Sequence, residues 1–317
     1  CTESLAWLGA DVVKVEEPGL GDRGRYGKSD KPGVDSHYFI LLNANKRSLT
    51  CDLKSDSGKE LLKQLITNAD VMIENMAPGV IERLGFGYDA VRQLNPKIIF
   101  AQIKGFPADG RHAKYLCFDM IAQAVGGSVS LTGVEGRQPV RPGPNLGDTG
   151  SGLHCATGIL AALCQRQATG RGQRIEVAMQ EAVINFSRIG FASYLASGQP
   201  PQRHGNRSMT GSNAPCELYP CKGGGADDYC VIHTAEAGNE QWHRLLHAIG
   251  KSEWKADPRF ASPQQRFRHV DEIDALLSAW CQGHTKIEVM DILQRAGVPA
   301  GAVFDTQEIL LDPNLHK

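Results

Sequence analysis

Short β-rich runs alternate with helical stretches through the first two hundred residues, and this alternation limits the fold more than any other feature. Asp11-Val-Val-Lys-Val-Glu16 is one such run, closed by Pro18 and Gly19. Ser48-Leu-Thr-Cys-Asp-Leu53, Val71-Met-Ile-Glu74, Lys97-Ile-Ile-Phe-Ala-Gln-Ile103 and Arg174-Ile-Glu-Val-Ala178 are the others. Between the second and third, Leu61, Leu62, Leu65, Ile66 and Ala69 form one helical stripe, with Ser55 or Asp56 as its cap. A helix over Tyr88–Leu94 stops at Asn95-Pro96, and another runs from about Gln180 to Ala196. Strands separated by helices predict an α/β fold, a mostly parallel sheet covered on both faces. The texture changes after Gly198-Gln-Pro-Pro-Gln-Arg-His-Gly205. Two short strands flank Lys222-Gly-Gly-Gly225, which reads as a hairpin turn. Helices follow near Asn239–Ile249, Val270–Cys281 and Lys286–Ala296. The expected organisation is a large domain over residues 1–198, then a linker and a smaller α+β domain over 199–317.

Bulk properties exclude several function classes. The chain has 317 residues and a formal charge of −1, so no global field draws it to nucleic acid or to an anionic membrane. No apolar run reaches the ~20 residues needed to span a bilayer, and no basic start precedes an apolar core as in a signal peptide. The nine cysteines are scattered and include no Cys-x-x-Cys pair. They read as reduced thiols in a cytoplasmic protein without metal, with Cys155 and Cys164 as small core residues. His154-Cys155 has no second ligand pair at metal spacing. Cys1 opens into a helix already under way and Lys317 follows a short helix, so both ends are expected to be cut.

One stretch concentrates the chemistry. Gly143-Pro-Asn-Leu-Gly-Asp148-Thr-Gly-Ser-Gly-Leu-His-Cys-Ala-Thr-Gly-Ile-Leu-Ala-Ala-Leu163 sets a carboxylate between glycines at the start of an apolar helix. Leu153, Ala156, Ile159, Leu160 and Leu163 recur at helical spacing. Gly147, Gly150 and Gly152 leave room for a bulky group to approach the backbone, and helix N-terminal amides favour negative charge nearby. Asp148 is therefore either an N-cap or a nucleophile.

An ordered series of phrases decides between these readings. Leu8-Gly-Ala-Asp-Val-Val-Lys-Val-Glu-Glu-Pro18 comes first, then Asn45-Lys-Arg-Ser48 with Asp52-Leu-Lys54. Ala69-Asp-Val-Met-Ile-Glu-Asn75 follows, with Pro78-Gly79 and Arg83-Leu-Gly85. Asn95-Pro96 leads to Ile103-Lys-Gly-Phe106, and Gly147-Asp148 and Thr169-Gly-Arg-Gly-Gln173 complete the set. In this order and spacing the whole chain resembles the class III coenzyme A transferases, which include formyl-CoA transferase and carnitine CoA-transferase. The resemblance implies a Rossmann-like large domain, a smaller domain and an interlocked homodimer. It implies coenzyme A and acyl-CoA as substrates, with a small carboxylic acid as partner and no permanently bound cofactor.

The resemblance also assigns roles. Asp148 takes the position of the nucleophile that attacks a thioester carbonyl, giving an acyl-aspartyl anhydride and then an aspartyl thioester. An ordinary Asp is ionised at neutral pH and needs no general base. Amides around Gly147 and Gly150 are expected to face the tetrahedral oxyanion. Lys54, Asn75 and Arg83 take CoA-binding positions, with Leu53 and Met76 flanking the nucleotide. Asp119 takes the place of an acidic residue that orients the site; its structural alternative is to cap the helix Met120–Val125.

Departures from the family bear on the substrate. An Arg near the adenine in formyl-CoA transferase falls at Glu17, and its substrate-side Trp falls at about Gly27. Its glycine-rich lid has no clear counterpart, and Gly205–Asn213 is shorter and differently composed. Formate and oxalate are thus one choice among small dicarboxylates and carnitine-like acids. The family's α-methylacyl-CoA racemases carry a His where this chain has Phe118, and without it two-base proton transfer loses a base. Asp148-Thr-Gly-Ser151 also spells the aspartic-protease signature. The only matching carboxylate, in Asp56-Ser-Gly-Lys59, opens a charged helix, and the β-α alternation contradicts an all-β fold. A CoA-binding chain that does not turn over is the non-enzymatic alternative.

Overall fold

The computed structural model of the protein describes residues 1–26, 31–209, 213–235 and 238–315. Gly27, Lys317 and part of Gly205–Asn213 lie outside the described residues. The fold divides into two units, residues 1–132 with 139–188, and residues 133–138 with 189–317. Residues 189–198, expected with the large domain, belong to the second unit.

The first unit runs α1 (Thr2–Trp7), β1 (Val12–Glu16), α2 (His37–Asn43), β2 (Lys46–Thr50), α3 (Asp56–Asn68), β3 (Val71–Glu74), α4 (Val80–Arg83), α5 (Tyr88–Leu94), β4 (Ile99–Lys104), α6 (Asp119–Val125), α7 (Ser128–Leu131), α8 (Leu146–Thr169), β5 (Arg174–Ala178) and α9 (Met179–Phe186). All its strand pairs are parallel. They form a two-stranded β1-β2 ribbon and a β3-β4-β5 sheet rather than one sheet. The pleat of β4 explains how both sheet faces are covered. Ile99 and Ala101 point to one side, packing with Cys155, Ala156, Ile159 and Ala162 of α8. Phe100 points to the other, packing with Leu62, Ile66, Ile81 and Val91 of α3, α4 and α5. Ser55 caps α3 as its sequence predicts, accepting the Gly58 N–H at 3.0 Å.

The buried face of α8 is not the leucine stripe. Of the expected stripe Ala156 and Ile159 are buried and Leu163 is half-buried, but Leu153 and Leu160 are exposed, and Gly147, Gly150, Ser151, Gly152, Cys155 and Ala162 complete the buried face. Small residues let the helix approach its neighbours closely. A Cβ at Gly150 would lie 2.3 Å from Phe186 Cε2, and one at Gly147 would lie 2.9 Å from Ala122 Cβ. These glycines admit the protein's own side chains, not a ligand. Cys164, on the opposite side of the helix from Cys155, is exposed.

The second unit runs α10 (Arg188–Ser197), β6 (Cys216–Pro220), β7 (Tyr229–His233), α11 (Glu240–Ala248), α12 (Pro263–Arg268), α13 (Val270–Cys281), α14 (Lys286–Arg295), β8 (Ala300–Ala302) and α15 (Thr306–Leu311). Its strands form an antiparallel β6-β7-β8 sheet. The Lys222–Gly225 stretch joins β6 to β7, with Gly223 and Gly224 at positive φ and Asp228 accepting the Gly225 N–H at 2.9 Å. Trp242, Leu245, Phe260, Ile273, Leu277, Val289 and Leu293 fill its core. The single helix expected over Gln180–Ala196 breaks at Ser187. There the hydroxyl donates back to the Val183 carbonyl at 3.0 Å, a contact that bends helices. No described helix is long and apolar enough to cross a membrane.

Candidate active site

Parallel strands with helical crossovers bring their C-terminal ends to one edge, where ligands bind in open α/β sheets. Helix α8 precedes β5 through a short turn and packs along β4 and β5, so its N-terminus returns to that edge. Asp148 lies in its first turn. It is not the N-cap, which is Asn145. Among the described residues nothing hydrogen-bonds its carboxylate, and the residue is exposed. Neighbouring atoms still strip part of its hydration: desolvation raises its pKa first, and the negative charge of Asp119 raises it further. A raised pKa makes the ionised carboxylate a stronger base and nucleophile.

Asp119 is buried and opens α6, yet its side chain does not cap α6. Its Oδ1 accepts the N–H groups of Gly147 at 2.9 Å and Asp148 at 3.2 Å. One helix thus caps another. Gln123, one turn along α6 and fully buried, donates through Nε2 to Asp119 Oδ2 at 2.6 Å and to the Pro144 carbonyl at 3.1 Å. Arg141 stands farther off, Nη1 to Oδ2 at 3.8 Å, which is an ion pair without a hydrogen bond.

This arrangement corrects the oxyanion assignment. The Leu146 amide donates to Pro144, those of Gly147 and Asp148 to Asp119, and that of Thr149 to Asn145. Gly150 is already within the helical ladder. Neither Gly147 nor Gly150 offers a free amide, so what remains favourable to an anion here is the positive end of the α8 dipole.

The five expected CoA-binding residues follow β2 and β3. Leu53 and Met76 are half-buried in the same core cluster. Lys54, Asn75 and Arg83 are exposed. Among the described residues, the Lys54 and Arg83 side chains make no ion pair. Gly79, in the left-handed region at φ 77°, opens α4 beneath the Arg83 guanidinium; a Cβ there would lie 2.9 Å from Arg83 Nη1. No hydrogen bond or ion pair among the described residues joins these five to Asp119 or Asp148.

Sequence reasoning missed the groups that hold these loops. Glu74 is buried at the end of β3. It meets Lys104 Nζ at 2.7 Å, accepts Gln102 Nε2 at 2.6 Å and accepts the Met76 N–H at 2.9 Å. Lys104 donates to the Met76 carbonyl at 2.8 Å, so one buried ion pair fixes both backbone groups of Met76. Glu16, at the end of β1, is held by two donors of Arg25 at 2.7 and 2.8 Å, which take its pKa down to about 2. An acid closing each short strand, Glu16 in β1 and Glu74 in β3, was the available signal. His154, weighed as a metal cue, is committed elsewhere: Nδ1 contacts the Gly150 carbonyl at 2.6 Å and Nε2 contacts Asn185 at 2.7 Å. A cleft of about 400 Å3 lined by Glu82, Tyr88, Asp89, Gln102 and Arg174 includes none of the candidate residues.

Comparison with known proteins adds an independent line. Formyl-CoA:oxalate CoA-transferase of Rhodopseudomonas palustris strain HaA2 is 40% identical, covering 100% of this chain and 77% of that protein. The protein of the same name from Streptomyces avermitilis is 42% identical, covering 99% and 78%. The crystal structure of a CAIB/BAIF family protein from Brucella suis superposes with a TM-score of 0.86 at 32% identity, covering 99% of this chain and 82% of that one. The family model described as CoA-transferase family III matches residues 1–317, and the chain belongs to that family and is a CoA-transferase.

Proposed function

We propose that the protein moves CoA between a short acyl-CoA and a small carboxylic acid, formyl-CoA and oxalate first among them, through covalent intermediates on Asp148. One observation carries this reading: an unbonded carboxylate at the positive end of a 24-residue helix, its backbone clamped by Asp119. Relatives named formyl-CoA:oxalate CoA-transferase support the substrate pair.

The Asp148 carboxylate attacks the thioester carbonyl and the C–S bond breaks, leaving an acyl-aspartyl anhydride and CoA thiolate. The thiolate attacks the aspartyl carbonyl, releasing the donor acid as its carboxylate and leaving an aspartyl-CoA thioester. The acceptor carboxylate attacks that thioester and frees the thiolate. The thiolate then takes the acceptor's acyl carbon and restores the Asp148 carboxylate. A thiol pKa near about 8.5 makes the thiolate an accessible leaving group. One thioester is consumed and one is formed, with no net proton transfer. Lys54 and Arg83 would meet CoA phosphates, Asn75 would hydrogen-bond the ligand, and Leu53 and Met76 would flank the nucleotide. The proposed assembly is an interlocked cytoplasmic homodimer of a large CoA-binding domain carrying Asp148 and a smaller C-terminal domain.

The test is to incubate the protein with acyl-CoAs of one to four carbons, quench with hydroxylamine or borohydride, and map adducts by mass spectrometry. An acyl-CoA-dependent adduct on Asp148 is expected. Asp148→Asn should lose it and lose transfer by at least about a thousandfold. Absence of any adduct with exchange of the substrate α-proton would point to a racemase. Neither signal would leave a CoA-binding chain without turnover.

A further inference from the structure

We infer that Gln123 is a positioning residue for the transfer reaction, keeping Asp119 in place as the carboxylate that clamps the first turn of α8 and so sets the geometry of Asp148. The inference rests on the reading of Asp148 as nucleophile.

The side-chain amide of Gln123 bridges two acceptors that bear on Asp148 from different sides. Asp119 Oδ2, at 2.6 Å, belongs to the carboxylate that takes the Gly147 and Asp148 amides. The Pro144 carbonyl, at 3.1 Å, belongs to the segment entering the Asn145 cap. Rotating the amide would set Oε1 against a carboxylate oxygen and a carbonyl oxygen, so its orientation is fixed by its surroundings. This orientation leaves Gln123 Oε1 buried without a hydrogen-bond partner among the described residues. Buried polar groups are almost always satisfied, and a retained exception beside a reacting group marks a site where geometry outweighs local stability.

The charged groups around the pair are few. Arg141 approaches Asp119 at 3.8 Å, and the Cys117 thiol feels both carboxylates, its pKa raised by burial and then by Asp148 and Asp119. Gln123 is the side chain that donates a hydrogen bond to Asp119, since Arg141 is beyond hydrogen-bond distance. Without that donor, the state in which both carboxylates are ionised loses a charge-assisted hydrogen bond. The carboxylate that holds the Gly147 and Asp148 amides is then less firmly placed.

The experiment compares wild type, Gln123→Leu and Gln123→Glu. Wild type is first labelled with formyl-CoA as above, then all three are assayed with formyl-CoA and oxalate. In Gln123→Leu we expect kcat to fall by about ten- to a hundredfold with KM for formyl-CoA within about threefold. In Gln123→Glu, which keeps the shape but faces Asp119 with a third carboxylate, kcat should fall further, again with KM little changed. A labelled wild type whose variants keep its kcat, or lose kcat and KM together, overturns the inference and leaves the nucleophile standing. A wild type that transfers nothing and carries no adduct overturns both. If neither variant folds, by circular dichroism and gel filtration, Gln123 is a structural residue and the inference also fails.

Discussion

At the scale of the residue, two carboxylates carry opposite instructions. Glu16 is stabilised as an anion by Arg25, and Asp148 is destabilised as one by desolvation and by Asp119. A raised folded-state pKa means that ionised Asp148 costs stability at neutral pH, and the cost disappears as pH falls below both the folded and the unfolded pKa. Asp148→Asn should therefore melt higher than wild type at pH 7, with the gap closing toward pH 3. Thermal melts at the two pH values read this directly, and an equal or lower melting temperature at pH 7 would contradict it. The position of Asp148 was legible in the sequence, because a carboxylate between glycines before an apolar run restricts the backbone strongly. Of its partners, Asp119 came from the family resemblance alone and Gln123 was not found. Asp119 reaches Gly147 across 28 residues and Gln123 reaches Pro144 across 21, and local pattern carries no information about such distant pairing. The Asp119 to Gln123 spacing of one helical turn was the only trace.

At the scale of the element, the pattern placed some boundaries and faces, such as the Leu62 and Ile66 face of α3, and missed others. The helix Tyr88–Leu94 and the strand Arg174–Ala178 lie where the sequence puts them. The buried side of α8 was misread because leucine spacing counts transfer energy and ignores how closely two backbones can pack. The β3-β4 pair teaches the same lesson in charge. Lys104 and Glu74 are almost wholly buried, and Gln102 joins them on the same sheet face. Lys104→Met would leave Glu74 without its counter-ion, a change that typically costs about 3 kcal/mol or more. We expect a clear drop in chemical-denaturation midpoint together with weaker acyl-CoA binding, because Met76 loses the donor on its carbonyl. A midpoint unchanged from wild type would show that the pair is dispensable.

At the scale of the whole molecule, the α/β class and the ordered family motifs were readable from the sequence, and the division into units was only roughly so. The Gly198–Gly205 break is conspicuous in composition, yet the second unit takes in residues from Ile189 onward, before it, and also residues 133–138. Those six residues have no signature of their own. They are recruited by contacts such as the Gly205 N–H to the Gly133 carbonyl at 2.9 Å and Arg203 to the Arg137 carbonyl at 2.8 Å. The core of the second unit comes entirely from residues 214–300, so residues 189–317 expressed alone should unfold in one cooperative thermal transition. A featureless melt would show that the core needs more of the chain. The shared segment also affects synthesis. Residues 133–138 leave the ribosome before any part of 189–317 exists, so they wait without their partners while α8 is being made. The contacts that claim this segment therefore form only once residues 203 and 205 have been made, after the whole of α8.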